Sequence, residues 1–361
     1  MQLLVLVLAG ALVLLHGCAA TPEADTLDER SIQRVWPAPP EQPRFVHEFT
    51  LRSAADIADD SADAKLRRTL TGERIGDSPA FSKPSAVAAQ LGRIYVSDTA
   101  NHVIAVFDVP RRRVFHFGMR EPGQLRKPVA LAVDRRSRVY VADAARREIL
   151  VYDSLGLFLS SIGGGEDLVR PAGVAVNADG SRIYVVDRGE NASAEHRVIA
   201  FDGQGKRLFQ IGSRGAQPGE FNAPTHASIG RDGTLYVLDA GNFRVQAFDA
   251  DGAFLRAFGK VGSALGNLAR PRGLAVDDQS HLFVTDGSFG NFQIFDWEGR
   301  LLLAIGRSSE LDRPGRFGLL SGIAVDETGR VYVVDQLFAK VEVYRPLGDR
   351  EAQELLDATS Q

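Results

Sequence analysis

Short apolar runs recur along this chain, separated by turns rich in Asp, Gly, Asn and Arg. Five of these runs open at a proline, at Pro84, Pro128, Pro171, Pro224 and Pro271, and Leu320 takes the same place in a sixth. A second run follows each opening and sets an aromatic residue between aliphatic ones: Ile94-Tyr95-Val96, Val139-Tyr140-Val141, Ile183-Tyr184-Val185, Leu235-Tyr236-Val237, Leu282-Phe283-Val284 and Val331-Tyr332-Val333. It ends on an aspartate, at Asp98, Asp143, Asp187, Asp239, Asp286 or Asp335. A third run closes on an aromatic residue and a further Asp in five copies, and a fourth closes on Phe-Gly or Ile-Gly. The openings are 44, 43, 53, 47 and 49 residues apart. Four strands in a period of about 40–50 residues predict an all-β fold, a six-bladed β-propeller with four-stranded antiparallel blades. β-branched and aromatic residues suit a pleated, buried surface. The runs are apolar throughout rather than alternating because each blade is covered on both faces.

The sixth copy lacks its last strand, since Val341–Tyr344 runs into Arg345-Pro346 and a polar tail. Arg44–Leu51 has the alternation needed to supply it, and a closure by the N-terminal segment would remove an open sheet edge. The propeller is therefore assigned to residues 44–348, with 349–361 as a polar C-terminal tail that is a short helix or frayed. Residues 53–76 connect the closing strand to the first inner strand.

The N-terminal region has a different character. Leu3–Leu15 is apolar and uncharged. As a helix it would cover roughly 20 Å, short of the ~30 Å of a bilayer core, so it reads as the apolar part of a secretory signal. Leu15-His16-Gly17-Cys18 resembles the bacterial lipobox, although no Lys or Arg precedes the apolar run. That resemblance implies a signal peptide over residues 1–17, a lipidated Cys18, and anchorage to the outer membrane facing the periplasm. Residues 18–43 hold Pro22, Pro37, Pro39, Pro40 and Pro43 and read as an extended tether, because proline fixes φ and removes a donor. Trp36 is its one aromatic residue. It either docks on the propeller flank or meets the membrane interface.

The copies resemble the NHL-repeat propellers. The stretch from Asp232 to Phe248 and that from Val139 to Val151 carry the likeness best, and Asn101-His102-Val103 approaches the triplet that names the repeat. The resemblance implies the six-bladed wheel. It leaves function open, because such propellers include enzymes, RNA- and protein-binding modules, and bacterial lipoproteins.

Composition narrows the choice. The 361 residues are 44% hydrophobic and 24% charged with a net charge of −4, which argues against a nucleic-acid partner. Cys18 is the one cysteine, so no internal disulfide forms. The six repeated aspartates read as turn caps rather than a cation ring, since one identical residue per blade is what a structural role predicts. A functional site should break the symmetry. The residues opening the inner strands crowd the central channel, and most are small or apolar. His226 and Arg272 are not, and with Ser85, Thr225 and Ser321 they are candidates for an anion-binding channel mouth. The rival reading has His226 and Arg272 satisfying nearby carbonyls or a carboxylate such as Glu220. A second candidate surface is the long 188–197 insertion with Glu190, Asn191, Glu195 and His196, because long loops on rigid scaffolds carry binding. No metal or other cofactor is expected: the histidines share no register, zinc catalysis needs about three ligands, and no nucleophile elbow or phosphate loop is present. The expectation is a monomer that binds an envelope protein or a glycan. The alternative is a metal-dependent lyase or lactonase working at the central channel.

Overall fold

The computed structural model describes residues 34–58, 61, 69–70, 78–190 and 193–359. Apart from a two-stranded parallel pair, Arg307–Ser308 with Arg316–Phe317, their β-strands form six antiparallel sheets arranged as a ring, so the protein is a six-bladed β-propeller. Blade 1 consists of Pro84–Gln90, Arg93–Asp98, Val103–Asp108 and Arg113–Phe117, from the channel outward. Blades 2 to 5 open with Pro128–Val133, Pro171–Val176, His226–Ile229 and Pro271–Val276 and repeat the same order. In blade 6 the chain supplies Leu320–Val325, Val331–Asp335 and Lys340–Pro346, and Phe45–Leu51 completes the sheet. The closing strand runs antiparallel to the third, from Phe45 opposite Pro346 to Leu51 opposite Val341.

Why the strands are apolar on both faces is visible in the packing. The core is six clusters, one per blade–blade interface, rather than one central mass. Ile94 and Val96 pack toward blade 6 with Tyr332 and Val343, whereas Tyr95 between them packs toward blade 2 with Leu131 and Val139. Period-two alternation therefore distributes side chains between two interfaces instead of between core and water.

The six aspartates that end the second strands are fully buried. Asp143 accepts from the backbone N–H of Arg126 (2.6 Å) and Lys127 (3.0 Å), just ahead of Pro128, and from Ala145 and Arg146 (both 3.0 Å) in its own turn. Asp98 does the same with Ser82, Lys83, Ala100 and Asn101. One carboxylate thus ties the segment entering a blade to the turn beyond its second strand.

The folded unit begins earlier than the pattern suggests. Val35–Trp36 adds a fifth strand to blade 6, with Arg44 N–H bonded to the Trp36 carbonyl (2.7 Å) and His47 N–H to that of Arg34 (2.9 Å). The Trp36 ring meets Tyr344 edge-on at 5.3 Å, so it docks on the flank. Residues 34–43, read from sequence as spacer, are therefore part of the wheel. Beneath Trp36, Lys340, Glu342 and Tyr344 form a buried network in which Glu342 also receives Gly315 N–H (2.9 Å). Burial raises the Glu342 carboxyl, while Lys340 opposes that shift. The C-terminal tail is the helix Asp349–Thr359, held by an Arg345–Glu351 ion pair at 2.7 Å. The signal segment, Cys18 and most of the 53–76 connection lie outside the described residues.

Two outcomes follow. Asp143→Ala leaves four backbone donors without their acceptor and should destabilise the protein by about 3 kcal/mol, measured by denaturant unfolding. Deleting residues 34–51 exposes the blade-6 edge and removes the buried Val46 and Leu51 side chains. A loss of at least about 5 kcal/mol, or failure to fold, is expected by thermal melting.

Candidate functional site

The innermost strand of each blade is hydrogen-bonded on one side only, so its other edge faces the channel. The cavity along the axis has a volume of 210 Å³ and is lined by Val87, Leu131, Val174, Leu274, Ile323 and their small neighbours. Apolar side chains border it, yet much of what it presents is strand-edge peptide groups, which makes it a polar conduit. His226 is the one ionisable side chain in that lining. A larger space of 710 Å³ lies at the opposite mouth, where Arg135 and Arg231 are offset by Asp179, Asp232, Asp277 and Asp278. Asp179, Asp232 and Asp277 there cap turns through Ser181, Thr234 and His281, so that mouth carries little unspent chemistry.

The mouth at the start of the inner strands departs from six-fold repetition in blade 4. In the other five blades the cap aspartate binds two successive N–H groups ahead of the inner strand. In blade 4, Asp239 receives only Asn222 N–H (2.7 Å), because Ala223 N–H turns to His196 Nδ1 (3.1 Å). Ala223 then adopts φ +48°, a left-handed value that costs about 1 kcal/mol in a residue with a Cβ. The inner strand starts two residues late, at His226, and Thr225 and His226 abut blade 3. A methyl group on Gly173 would come within 2.9 Å of the Thr225 carbonyl and 3.1 Å of His226 Cα, which is why that neighbour is glycine.

The predicted mouth residues divide accordingly. Ser321 Oγ donates to the Ser85 carbonyl (2.7 Å), tying blade 6 to blade 1, so its hydroxyl is structural. Ser85 is half-buried beside it. His226 has no hydrogen-bond partner among the described residues, and burial lowers its pKa to about 4, so it is a neutral imidazole near pH 7. Thr225 Oγ1 is buried without a partner. Arg272 makes no ion pair among the described residues. It keeps solvent access while its stem lies across Gly287, 3.7 Å from where a methyl group would sit. The rival reading fails, since Glu220 turns instead to Gln217 N–H (2.9 Å).

The 188–197 insertion is corrected in one respect. His196 is 2% exposed, and with Nδ1 accepting from Ala223 its Nε2 donates to the Glu190 carbonyl (3.3 Å). Both nitrogens are committed, so His196 offers no binding surface; it positions the blade-4 opening. Glu190 is exposed, Glu195 is partly exposed and lies 3.8 Å from Arg197, and Asn191 lies outside the described residues. The two candidate regions are therefore one construction.

Sequence reasoning passed over Arg188. Its Nε is buried without a hydrogen-bond partner among the described residues. Burial, and then Arg170, pull its guanidinium below the ordinary value; burial, Arg270 and Arg188 do the same to Arg272. The signal was available in the copies. The residue after the cap aspartate is Thr99, Ala144, Ala240, Gly287 or Gln336 in the other blades and Arg188 in blade 3. The nearby carboxylates are engaged: Asp187 with Arg197 (3.1 Å), and Asp286 with the N–H groups of Ala269, Arg270, Ser288 and Phe289. Among the described residues no three His, Cys, Asp or Glu side chains converge as metal ligands would.

His226 and His47 set a pH dependence. His47, in the closing strand, is also lowered to about 4, first by burial and then by Lys340, Arg34 and Arg52. A depressed folded pKa contributes stability that is complete above the unfolded value near 6.5 and is lost as pH falls toward 4. Glu342 and Asp239, raised chiefly by burial, act in the opposite sense at the acid end. The unfolding free energy, measured by denaturant titration, should fall from pH 7 to pH 4.5, and the double variant His47→Gln/His226→Gln should reduce that fall by on the order of 2 kcal/mol. An unchanged acid limb would contradict the assignment.

Comparison with known proteins agrees with this architecture. The family model described as a 6-bladed beta-propeller matches residues 175–258. The "Protein brain tumor" of Drosophila melanogaster is 35% identical over 137 residues, which is 37% of this chain but only 12% of that protein's length. Virginiamycin B lyase from Staphylococcus aureus superposes with a TM-score of 0.54 at 11% identity, covering 84% of this chain and 100% of that one. A gluconolactonase from Xanthomonas campestris does so with a TM-score of 0.55 at 19% identity, covering 74% and 86%. What these comparisons establish is the six-bladed propeller fold, with sequence similarity to an NHL-repeat protein over part of the chain.

Proposed function

We propose that this protein is an envelope-anchored binding propeller. Cys18 carries the lipid, the preceding segment is a cleaved signal, and the wheel faces the periplasm from the outer membrane. It presents the inner-strand mouth of its channel to an envelope protein or glycan. One observation carries this reading: the six-fold pattern is broken at that mouth, where the side chains of His226, Thr225, Arg188 and Arg272 have no hydrogen-bond or ion-pair partner among the described residues. A rigid wheel with a localised departure from its own repeat is the form expected of a scaffold that displays a site.

The alternative is a metal-dependent enzyme at the channel, of the kind named by the lyase and lactonase neighbours. It has less support. His226 is the single metal-ligating side chain lining the axial cavity, and a zinc site needs about three.

Two measurements test the proposal together. Cys18→Ser should move the protein from the membrane to the soluble fraction; retention in the membrane would argue against acylation. A photoreactive side chain placed at Ala172, beside the mouth, should give a discrete adduct in intact cells, while one at Gly233, on the opposite mouth, should not. Adducts from Gly233 alone would overturn the choice of face.

A further inference from the structure

The arginines at the mouth are arranged in a way the fold does not need. Arg188 stands on blade 3 and Arg272 on blade 5, and blade 4 places Thr225 and His226 between them. Arg188 N–H is bonded to the Arg170 carbonyl (3.1 Å) and Gly287 N–H to that of Arg270 (2.9 Å), so two further arginines flank the pair. Neither Arg188 nor Arg272 has an acidic partner among the described residues, although the chain carries 46 acidic residues against 42 basic ones. The carboxylates beside these four arginines, Asp187 and Asp286, are already engaged by backbone N–H groups and by Arg197, so neither pairs with Arg188 or Arg272. The Arg188 Nε–H and the Thr225 hydroxyl are each buried without a hydrogen-bond partner among the described residues, which leaves an unfavourable desolvation term in the ligand-free protein. A ligand that accepts from both relieves it.

We propose that Arg188, Arg272 and Thr225, with His226 at the lip of the channel, bind an oxyanion borne by a polar ligand, as a carboxylate or a sulfate. The proposal deepens the reading above by naming the chemistry of the displayed site, and it rests on that reading for the face. Arginine fits the class, because its planar fork matches an oxyanion and its charge is permanent. A neutral imidazole fits as well, since it donates or accepts as the ligand requires without adding a charge that chloride would screen. The polar strand edges below exclude a hydrocarbon tail and favour a hydrated body such as a sugar ring. His196 holds the arrangement open by diverting Ala223 N–H from Asp239.

The test is isothermal titration of the full-length protein with sodium glucuronate, sodium sulfate and sodium phosphate, and with neutral methyl glucoside as the control. Saturable binding of at least one anion is expected, weakening as sodium chloride is raised, with none for the neutral sugar. Glucuronate binding above sulfate and phosphate identifies a carboxylate ligand, and the reverse order identifies an ester or inorganic anion. Arg188→Gln and Arg272→Gln should each weaken binding about 10-fold or more. Both variants should melt at or above the parent temperature, since each removes an uncompensated positive charge; a purely structural arginine would lower it. No saturable binding of any anion, or equal binding by the variants, overturns the proposal. If adducts at Ala172 persist in both glutamine variants, the displayed face stands and the oxyanion chemistry falls. If adducts at Ala172 never form, the choice of face itself falls.

Discussion

Each blade is held to its entry segment by a single buried carboxylate. The cap aspartate reaches back some sixteen residues to the chain entering the blade and forward to the turn after its own strand. A propeller has little other means of fixing that geometry. Its blades share no hydrogen-bond ladder with one another, and the apolar interfaces between them are non-directional. The aspartates supply direction, setting where every inner strand begins and hence which side chains reach the channel mouth. Their charge is tolerated in the interior because each accepts several hydrogen bonds, from backbone N–H groups in five blades and mostly from side chains at Asp239, with an arginine added in blades 3 and 4.

The proposed site is built by relaxing this device in one blade. Where His196 takes one N–H from the Asp239 set, the chain turns left-handed at Ala223 and the inner strand starts late. Asp239 compensates with Asn242, Arg244 and Gln246 side chains, and burial leaves its carboxyl above the ordinary value. A site that holds one asymmetric ligand in one orientation needs such local exceptions, since a feature repeated six times presents six equivalent orientations. The insertion in blade 3, the displaced strand in blade 4 and the arginine in blade 5 are three exceptions on consecutive blades.

The ring is closed by a different device. Blade 6 joins the N-terminal strand to the third strand of the last repeat, and it also buries the Lys340–Glu342–Tyr344 network under Trp36 and Gly315. Blades 4 and 5 receive the corresponding loops through Gln246 and Gln293, each accepting a glycine N–H. The use of a charged pair where two ends of the chain meet fits a junction that must form in one register, because an ion pair left half-made in the interior is costly.

Much of this architecture is legible in the amino-acid sequence. The period, the number of blades, the closing strand, the capping aspartates and the oddity of His226 and Arg272 are local or periodic facts, and sequence records local and periodic facts directly. What the sequence could not decide was pairing across distance. That Trp36 and Val35 belong to blade 6 depends on the two-strand contact with Phe45–Val46, and a proline-rich composition cannot reveal it. That His196 is a buried hinge rather than a surface ligand depends on Ala223, 27 residues away. That Ser321 is spent and Arg188 unpaired depends on which blades are neighbours in the ring. Hydrogen-bond satisfaction is a property of the closed three-dimensional set of donors and acceptors. Only the tertiary structure shows which groups the fold has used and which it has left for something else.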